Sequence, residues 1–235
     1  MKYAIRIPGN ESLERTVERS KHQATQSESE VDAMTPADSS TLIPLPVDRP
    51  IWDRFFSVSP LVIIGSKESD GRYNVAPKHM AMPLGWENRY CFVCSPRHTT
   101  YHNIRRHGVF TVSYPRPTDV LLASLAAAPR CEDQSKPSLL VLPTFPAREV
   151  DGVLVKGSYL FLECTLDTVF DGFGPNSLIT GKIIAAAAEE DALRSEDLDD
   201  SDQIFTAPLL AYLSPGRFAE IRQTWAFPFP KGFSR

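Results

Sequence analysis

The sequence lacks the features that mark several large classes of protein. Its 235 residues include 25 Lys and Arg against 29 Asp and Glu, so there is no basic excess to neutralise nucleic-acid phosphates. The longest apolar stretches, such as residues 183–188, are far shorter than the roughly 20 residues that cross a bilayer. The first 20 residues contain no apolar run like that of a secretory signal. We therefore expect a soluble, cytoplasmic protein that binds neither nucleic acid nor membranes.

Glycine and cysteine are scarce, whereas proline is abundant. The chain has 12 Gly and 4 Cys against 20 Pro. Because proline blocks a helix interior, this composition favours short strands and many loops. Cys91 and Cys94 form a C-x2-C pair, but a strand would point them to opposite faces, and no second pair follows. We interpret the cysteines as small buried apolar residues and expect no metal site.

The standard catalytic and nucleotide-binding motifs are also absent. The sequence contains no G-x-G-x-x-G, no P-loop, no H-E-x-x-H and no G-x-S-x-G. Its length fits one domain of ordinary size or two small ones. If part of the chain is a tail, we expect no room for a catalytic domain beside a separate nucleotide-binding domain.

The chain divides by composition into a polar tail and a folded domain. Residues 1–46 are predicted to be a disordered tail and linker, because they hold too little apolar surface to offset their ordering entropy. Residues 47–235 form the predicted domain, with six strands near residues 61–66, 73–76, 89–94, 109–113, 159–166 and 177–187. Two helices are predicted over residues 101–107 and 120–128. This pattern predicts a mainly β fold, a β-barrel with helical insertions.

An acidic run follows the last predicted strand. Residues 189–202 contain eight acidic side chains and one arginine. We interpret the run as a solvated loop, with a weak helix as the alternative.

A polar segment over residues 95–106, SPRHTTYHNIRR, is the first candidate site. A strand ends at Cys94 and a helix begins near Thr100, so the unpaired N–H groups of the first helical turn can bind an anion. Arg97 can donate two hydrogen bonds to a phosphate, and Thr99 adds a hydroxyl. Asn103 lies one turn further on. The alternative is a basic surface helix with an ordinary threonine cap.

A second candidate group follows the strand at residues 73–76. Pro77 ends the strand pairing, and Lys78 and His79 come directly after it. Lys78 can supply positive charge, and His79 can donate or accept a hydrogen bond near neutral pH. Alternatively, both are solvated side chains.

These motifs, in this order, resemble the flavin reductase-like family of FMN-binding split barrels. The resemblance covers about residues 50–235 and is carried by PLVIIGS, DGRYNVAPKHMAMPL and CFVCSPRHTTYHNIRRHGVFTVSYP, with N-x-A-P and T-x-x-N-I as its most specific parts. It implies a six-stranded antiparallel split barrel that forms a homodimer and binds FMN near the subunit interface. It also implies that the phosphate and ribityl chain lie against Arg97, Thr99, Thr100 and Asn103. The flavin ring would lie against Asn74, Ala76, Lys78 and His79.

The sequence departs from the family pattern at two places. Lys78 and His79 stand where many members have A-P-x-S, and Asn176 stands where many have a histidine before the returning strand. The catalytic residues are therefore not assigned. The resemblance predicts an FMN-dependent oxidoreductase, an NAD(P)H:flavin reductase or a related small-substrate reductase, with NADH or NADPH as transient electron donor and hydride transfer through flavin N5. The alternatives are an FMN-binding electron carrier without reductase turnover, a barrel for haem or a deazaflavin, and a barrel without cofactor.

Overall fold

The chain folds mainly into β-strands joined by short helices, and the computed structural model describes residues 42–233. Contacts within the chain separate residues 1–47 from Asp48–Arg235, and every element described here lies in the second unit. The predicted tail lies outside the described residues except for 42–46, which have no regular secondary structure.

Twelve strands occur among the described residues. They are β1 (Ser57–Pro60), β2 (Val62–Lys67), β3 (Tyr73–Lys78), β4 (Ala81–Pro83), β5 (Arg89–Cys94), β6 (Val109–Pro115), β7 (Thr144–Pro146), β8 (Val153–Val155), β9 (Ser158–Phe173), β10 (Asn176–Ala188), β11 (Leu209–Ser214) and β12 (Arg217–Ile221). The α-helices are α1 (Thr99–His107), α2 (Val120–Ala126) and α3 (Asp200–Thr206). Short 3-10 turns cover Pro117–Asp119, Pro137–Leu140 and Glu190–Ala192. No helix within residues 42–233 is both long and apolar enough to span a membrane.

A curled antiparallel sheet of seven strands forms the centre of the fold, in the order β3-β2-β6-β9-β10-β5-β4. Six of its strands are the six that the sequence predicts, and the short β4 is the seventh. This confirms the mainly β, antiparallel prediction. The strand β3 lies at one end of the order, so one of its edges has no strand partner in this sheet.

Two smaller sheets were not predicted. One has the order β1-β11-β12, and the other pairs β7 with β8. The strands β11 and β12 form a hairpin in which Leu213 pairs with Arg217 across a turn at Pro215 and Gly216. The Pro-Gly dipeptide between two apolar runs was an available turn signal.

Residues on both faces of β2 are buried, which explains its continuous apolar sequence. Val62 and Ile64 join a cluster inside the curled sheet with Phe92 and Phe110, whose rings meet edge to face at 5.4 Å between centroids. Ile63 faces a second cluster under α2. The second cluster fixes α2 and the loop that follows it against β2 and β3.

The cysteines are all free thiols. Cys91, Cys94 and Cys164 are buried as predicted, but Cys131 is exposed, because it lies in the loop after α2 instead of in a strand. Within residues 42–233, no cluster of three or more His, Cys, Asp or Glu side chains is arranged to hold a metal ion.

The acidic run is more ordered than a solvated loop. Its last residues begin α3, where the Asp199 carboxylate accepts a hydrogen bond from the Ser201 N–H at 2.8 Å. Asp200 and Asp202 lie in the first turn, where carboxylates stabilise the partial positive charge of a helix N-terminus. The loop prediction is therefore wrong for this end of the run.

Candidate functional site

The helix α1 is fixed over β2 and β3 by two polar contacts. Buried Asn103 donates through Nδ2 to the Ser66 hydroxyl on β2 at 3.1 Å. Asn74 on β3 donates through Nδ2 to the Thr100 hydroxyl, at the long distance of 3.5 Å. The helix ends as predicted at Gly108, which is left-handed with φ 69° and donates to the Ile104 carbonyl at 2.8 Å. These contacts place the start of α1 beside the end of β3.

The first turn of α1 has no internal cap. His98 precedes it in an extended conformation, and its side chain makes no capping hydrogen bond. The turn contains no acidic residue, whereas three basic residues lie in the last turn. The Tyr101 N–H already donates to the His98 carbonyl at 3.1 Å, so the groups available to an anion are the N–H groups of Thr99 and Thr100 at the positive end of the helix dipole.

A cleft of about 430 Å³ opens at this helix start. Its walls come from β3, from the loop into α1, from the end of α2 and from the loop that follows. Among the described residues, no Asp or Glu lines it, and four cationic side chains do: Lys78, Arg97, Arg130 and Lys136. A cleft with this charge and an uncapped helix start favours an anionic group such as a phosphate.

One polar atom at this cleft has no partner among the residues that the structure describes. The Oδ1 atom of Asn74 is buried and accepts no hydrogen bond from residues 42–233, and the residue is 4% exposed. A buried acceptor without a donor is costly, so its presence beside a cleft indicates a ligand that donates to it. The hydroxyls and imide N–H of a flavin are donors of this kind.

The structure brings six of the eight predicted cofactor residues together at the cleft and places two elsewhere. The six are Asn74, Ala76, Lys78, Arg97, Thr99 and Thr100. The ring of His79 instead stacks on Tyr212 of β11, with 4.5 Å between centroids. Asn103 is 1% exposed, does not line the cleft, and donates through its amide to Ser66.

Two of the four cationic lining residues were missed by sequence reasoning. Arg130 and Lys136 lie in the polar loop after α2, about 60 positions from β3 in the chain. Arg130 is ion-paired with Glu68. Nothing in the local sequence distinguishes these cations from solvated loop residues. Only the packing of α2 on the second cluster brings them to the cleft.

The cations of the cleft influence each other and the two nearby histidines. Burial, and then the charge of Lys78, lowers the pKa of His98 and of His79 below the usual value for histidine. Burial lowers the pKa of Lys136 to about 8, and the Arg130 charge acts in the same direction. Burial raises the pKa of the Cys94 thiol, although Lys78 beside it opposes that change. Both histidines are thus predominantly neutral at neutral pH, and Cys94 is a protonated thiol.

Comparison with known proteins identifies the family. The flavin reductase like domain matches residues 55–219, more than half of the chain. The chain belongs to this family. Membership implies flavin binding and oxidoreductase chemistry in general.

Individual relatives agree with this assignment. A protein of Methanothermobacter thermautotrophicus without an assigned function is 27% identical over 145 residues, which are 59% of this chain and 67% of the relative. The flavoredoxin of Desulfovibrio vulgaris (Miyazaki F) superposes with a TM-score of 0.62 at 22% identity, covering 75% of this chain and 93% of its own. A Shewanella frigidimarina protein described as a flavin reductase with a split barrel domain superposes with a TM-score of 0.65 at 16% identity. The match covers 74% of this chain and 87% of that protein. At these identities, the two structures show the fold alone, which is the predicted split barrel.

Proposed function

We propose that the protein is an FMN-binding oxidoreductase that accepts hydride from NADH or NADPH. One observation carries the proposal: the unpartnered Asn74 amide oxygen lies at a cationic cleft that opens on the uncapped start of α1. Family membership supports a flavin, and the positive charge of the cleft favours a flavin with a phosphate. The cleft volume of about 430 Å³ is within the range of small-ligand sites.

The residues of the cleft fit the parts of FMN by their chemistry. The first N–H groups of α1 and the Thr99 hydroxyl would donate to the phosphate, and Arg97 would add its guanidinium. Asn74 would accept a hydrogen bond from a flavin hydroxyl or N–H group. All three positions line the same cleft, so one ligand can reach them together.

A bound flavin would supply the hydride-accepting centre. The chain itself would contribute positive charge from Lys78, which is fixed at the end of β3 next to the neutral His79 and His98. Such a charge stabilises an electron-rich ligand in a partly dry site. We expect Lys78→Ala to weaken FMN binding, to slow flavin reduction, or both. If neither quantity changes, Lys78 has no role.

We also propose a homodimer. The described residues expose large aromatic side chains that a soluble monomer has little reason to present, including Trp52, Phe56, Trp225 and Phe227. Light scattering coupled to size exclusion should give twice the 26.2 kDa chain mass. A monomer at micromolar concentration would contradict this proposal.

A flavin-binding electron carrier is the second candidate function, and the structural similarity to a flavoredoxin favours it. A carrier would bind FMN through the same cleft but would not oxidise a nicotinamide. The two candidates therefore differ in one measurable reaction and share one binding site.

The test is the visible spectrum of the purified protein, recorded anaerobically before and after NADH or NADPH is added. A flavin spectrum that bleaches with either donor supports the reductase. A flavin spectrum that neither donor bleaches supports the carrier. A protein that is colourless and binds no added FMN refutes both.

Two arginine variants make the binding test specific. Arg97→Ala should weaken FMN binding about tenfold, the expected effect of one charge-assisted hydrogen bond. Arg194→Ala is the control, because that exposed arginine pairs with Asp200 away from the cleft. Equal effects of the two variants would show that net charge alone, and not this cleft, determines the affinity.

A further inference from the structure

The side chain of Lys136 lies across the open edge of β3. Its Nζ atom donates to the Val75 carbonyl of β3 at 3.0 Å and to the Ala126 carbonyl, at the end of α2, at 2.6 Å. Because no strand from the described part of the chain pairs with this edge of β3, the Val75 carbonyl can accept this bond. Two backbone acceptors from different elements fix the ammonium in one position.

The third N–H of this ammonium has no partner within residues 42–233. Lys136 lines the cleft at the start of α1, and on its other side it lines a second cavity of about 460 Å³. The carboxylate that influences it, Glu68, is ion-paired with Arg130. The ammonium is therefore half-buried and held in place, with one donor left over and no carboxylate of its own.

A half-buried cation in these surroundings is unfavourable without an anion. Arg130 and Lys78 repel it, Glu68 attracts it, and Arg97, His98 and Arg72 line the two adjoining cavities. Burial, and then the charges of Arg130 and Lys78, lower its pKa to about 8 although Glu68 opposes this, so the protein holds it in an environment that disfavours its charged form. Groups held this way occur more often at functional sites than elsewhere.

We propose that Lys136 is a phosphate-binding residue of the cleft and that its free N–H makes the protein prefer a phosphorylated flavin to an unphosphorylated one. This inference rests on the proposed function. Two carbonyl bonds aim the lysine before a ligand arrives, so little side-chain entropy is lost on binding. The opposing view is that Lys136 only ties α2 to the edge of β3.

The variant Lys136→Gln separates these two views. The glutamine amide retains two N–H donors for the carbonyls but has no charge and no third donor. Lys156→Gln is the matched control, because it makes the same change at an exposed lysine outside both cavities. FMN and riboflavin are the two ligands, since they differ only in the phosphate.

Fluorescence titration should show that Lys136→Gln raises the dissociation constant for FMN about tenfold or more, and that for riboflavin less than about twofold. Lys156→Gln should change neither. In the wild type, the ratio of the riboflavin dissociation constant to the FMN dissociation constant should also fall between pH 7 and 9, because the Lys136 ammonium loses its proton. In Lys136→Gln this ratio should fall less over the same pH range. Equal weakening for both ligands, or no weakening for either, would overturn the inference.

A separate arm distinguishes failure of this inference from failure of the proposed function. If the wild type binds neither flavin, the proposed function is refuted, and inorganic phosphate becomes the probe. A phosphate-dependent rise in the melting temperature of the wild type that Lys136→Gln loses and Lys156→Gln keeps would still support an anion site at Lys136. No rise, or the same rise in all three proteins, would overturn that site.

Discussion

The unpartnered amide oxygen of Asn74 provides the sharpest test of the proposed site. We consider Asn74→Leu, which replaces the amide by an apolar group of similar shape. In the ligand-free protein, the substitution removes a buried acceptor whose lack of a partner costs about 1–3 kcal/mol. It also removes the contact to the Thr100 hydroxyl, which contributes little at 3.5 Å.

These contributions predict opposite changes in stability and affinity. The free energy of unfolding of ligand-free Asn74→Leu should stay equal to that of the wild type or rise by about 1 kcal/mol. The affinity for FMN should fall about tenfold or more, because the ligand donor loses its acceptor. Most substitutions of a buried polar residue destabilise a protein, so a neutral or stabilising result would itself be informative.

The assay is urea denaturation of ligand-free protein together with FMN titration. Asn103→Leu is the matched control, because Asn103 is an equally buried asparagine whose Nδ2 already bonds Ser66 at 3.1 Å. It should lose about 1–3 kcal/mol of stability and keep its FMN affinity within about threefold. The reasoning is refuted if Asn74→Leu loses more than about 2 kcal/mol, or binds FMN as well as the wild type does.

Three further predictions concern the rest of the domain. The buried Glu163 carboxylate accepts hydrogen bonds from the N–H groups of Arg148, Glu149 and Val150 at 2.7–3.1 Å. Glu163→Gln should therefore lower the free energy of unfolding by about 2 kcal/mol or more, measured by urea denaturation. An unchanged denaturation midpoint would contradict this. A thiol reagent should label one cysteine quickly in the native protein and all four after denaturation, because Cys131 alone is exposed; rapid labelling of a second thiol would count against the burial described. The pKa of His98 is lower in the folded protein than its usual value of about 6.5, so the unfolded chain binds a proton there first as the pH falls. The free energy of unfolding should therefore decrease below about pH 6.5, and it should decrease less in His98→Gln. The same dependence of the unfolding free energy on pH in both proteins would exclude this contribution.

The sequence was sufficient to predict most of the central sheet. Each of its six longer strands is a run of apolar or alternating residues, and the two ends of α1 carry their own local signals: a polar segment before Thr99 and glycine at position 108. Such signals are local because they depend on the backbone conformation of a few neighbouring residues. The phosphate-site prediction rests on the same kind of signal; Arg97, Thr99 and Thr100 line one cleft, and their role in binding a phosphate stays a prediction.

Local sequence does not decide where a side chain points, and two of the predicted cofactor residues do not line the cleft. Asn103 belongs to the quoted motif, but it is 1% exposed and its amide donates to Ser66 on β2. His79 follows the strand that lines the cleft, but stacks on Tyr212 from a sheet that was not predicted. In both positions, a partner far away in the chain determines where the side chain points.

What the sequence determined by itself was the family, the β-rich fold and a helix start suited to an anion. What only the tertiary structure decided was which distant residues line the cleft at that helix start. Lys136 and Arg130 reach it because α2 packs on β2 and β3 through an apolar cluster, and that packing carries a polar loop to the open edge of β3. Hydrophobic contacts between distant segments have no local sequence signature, so the two cations become part of the site only once the chain has folded.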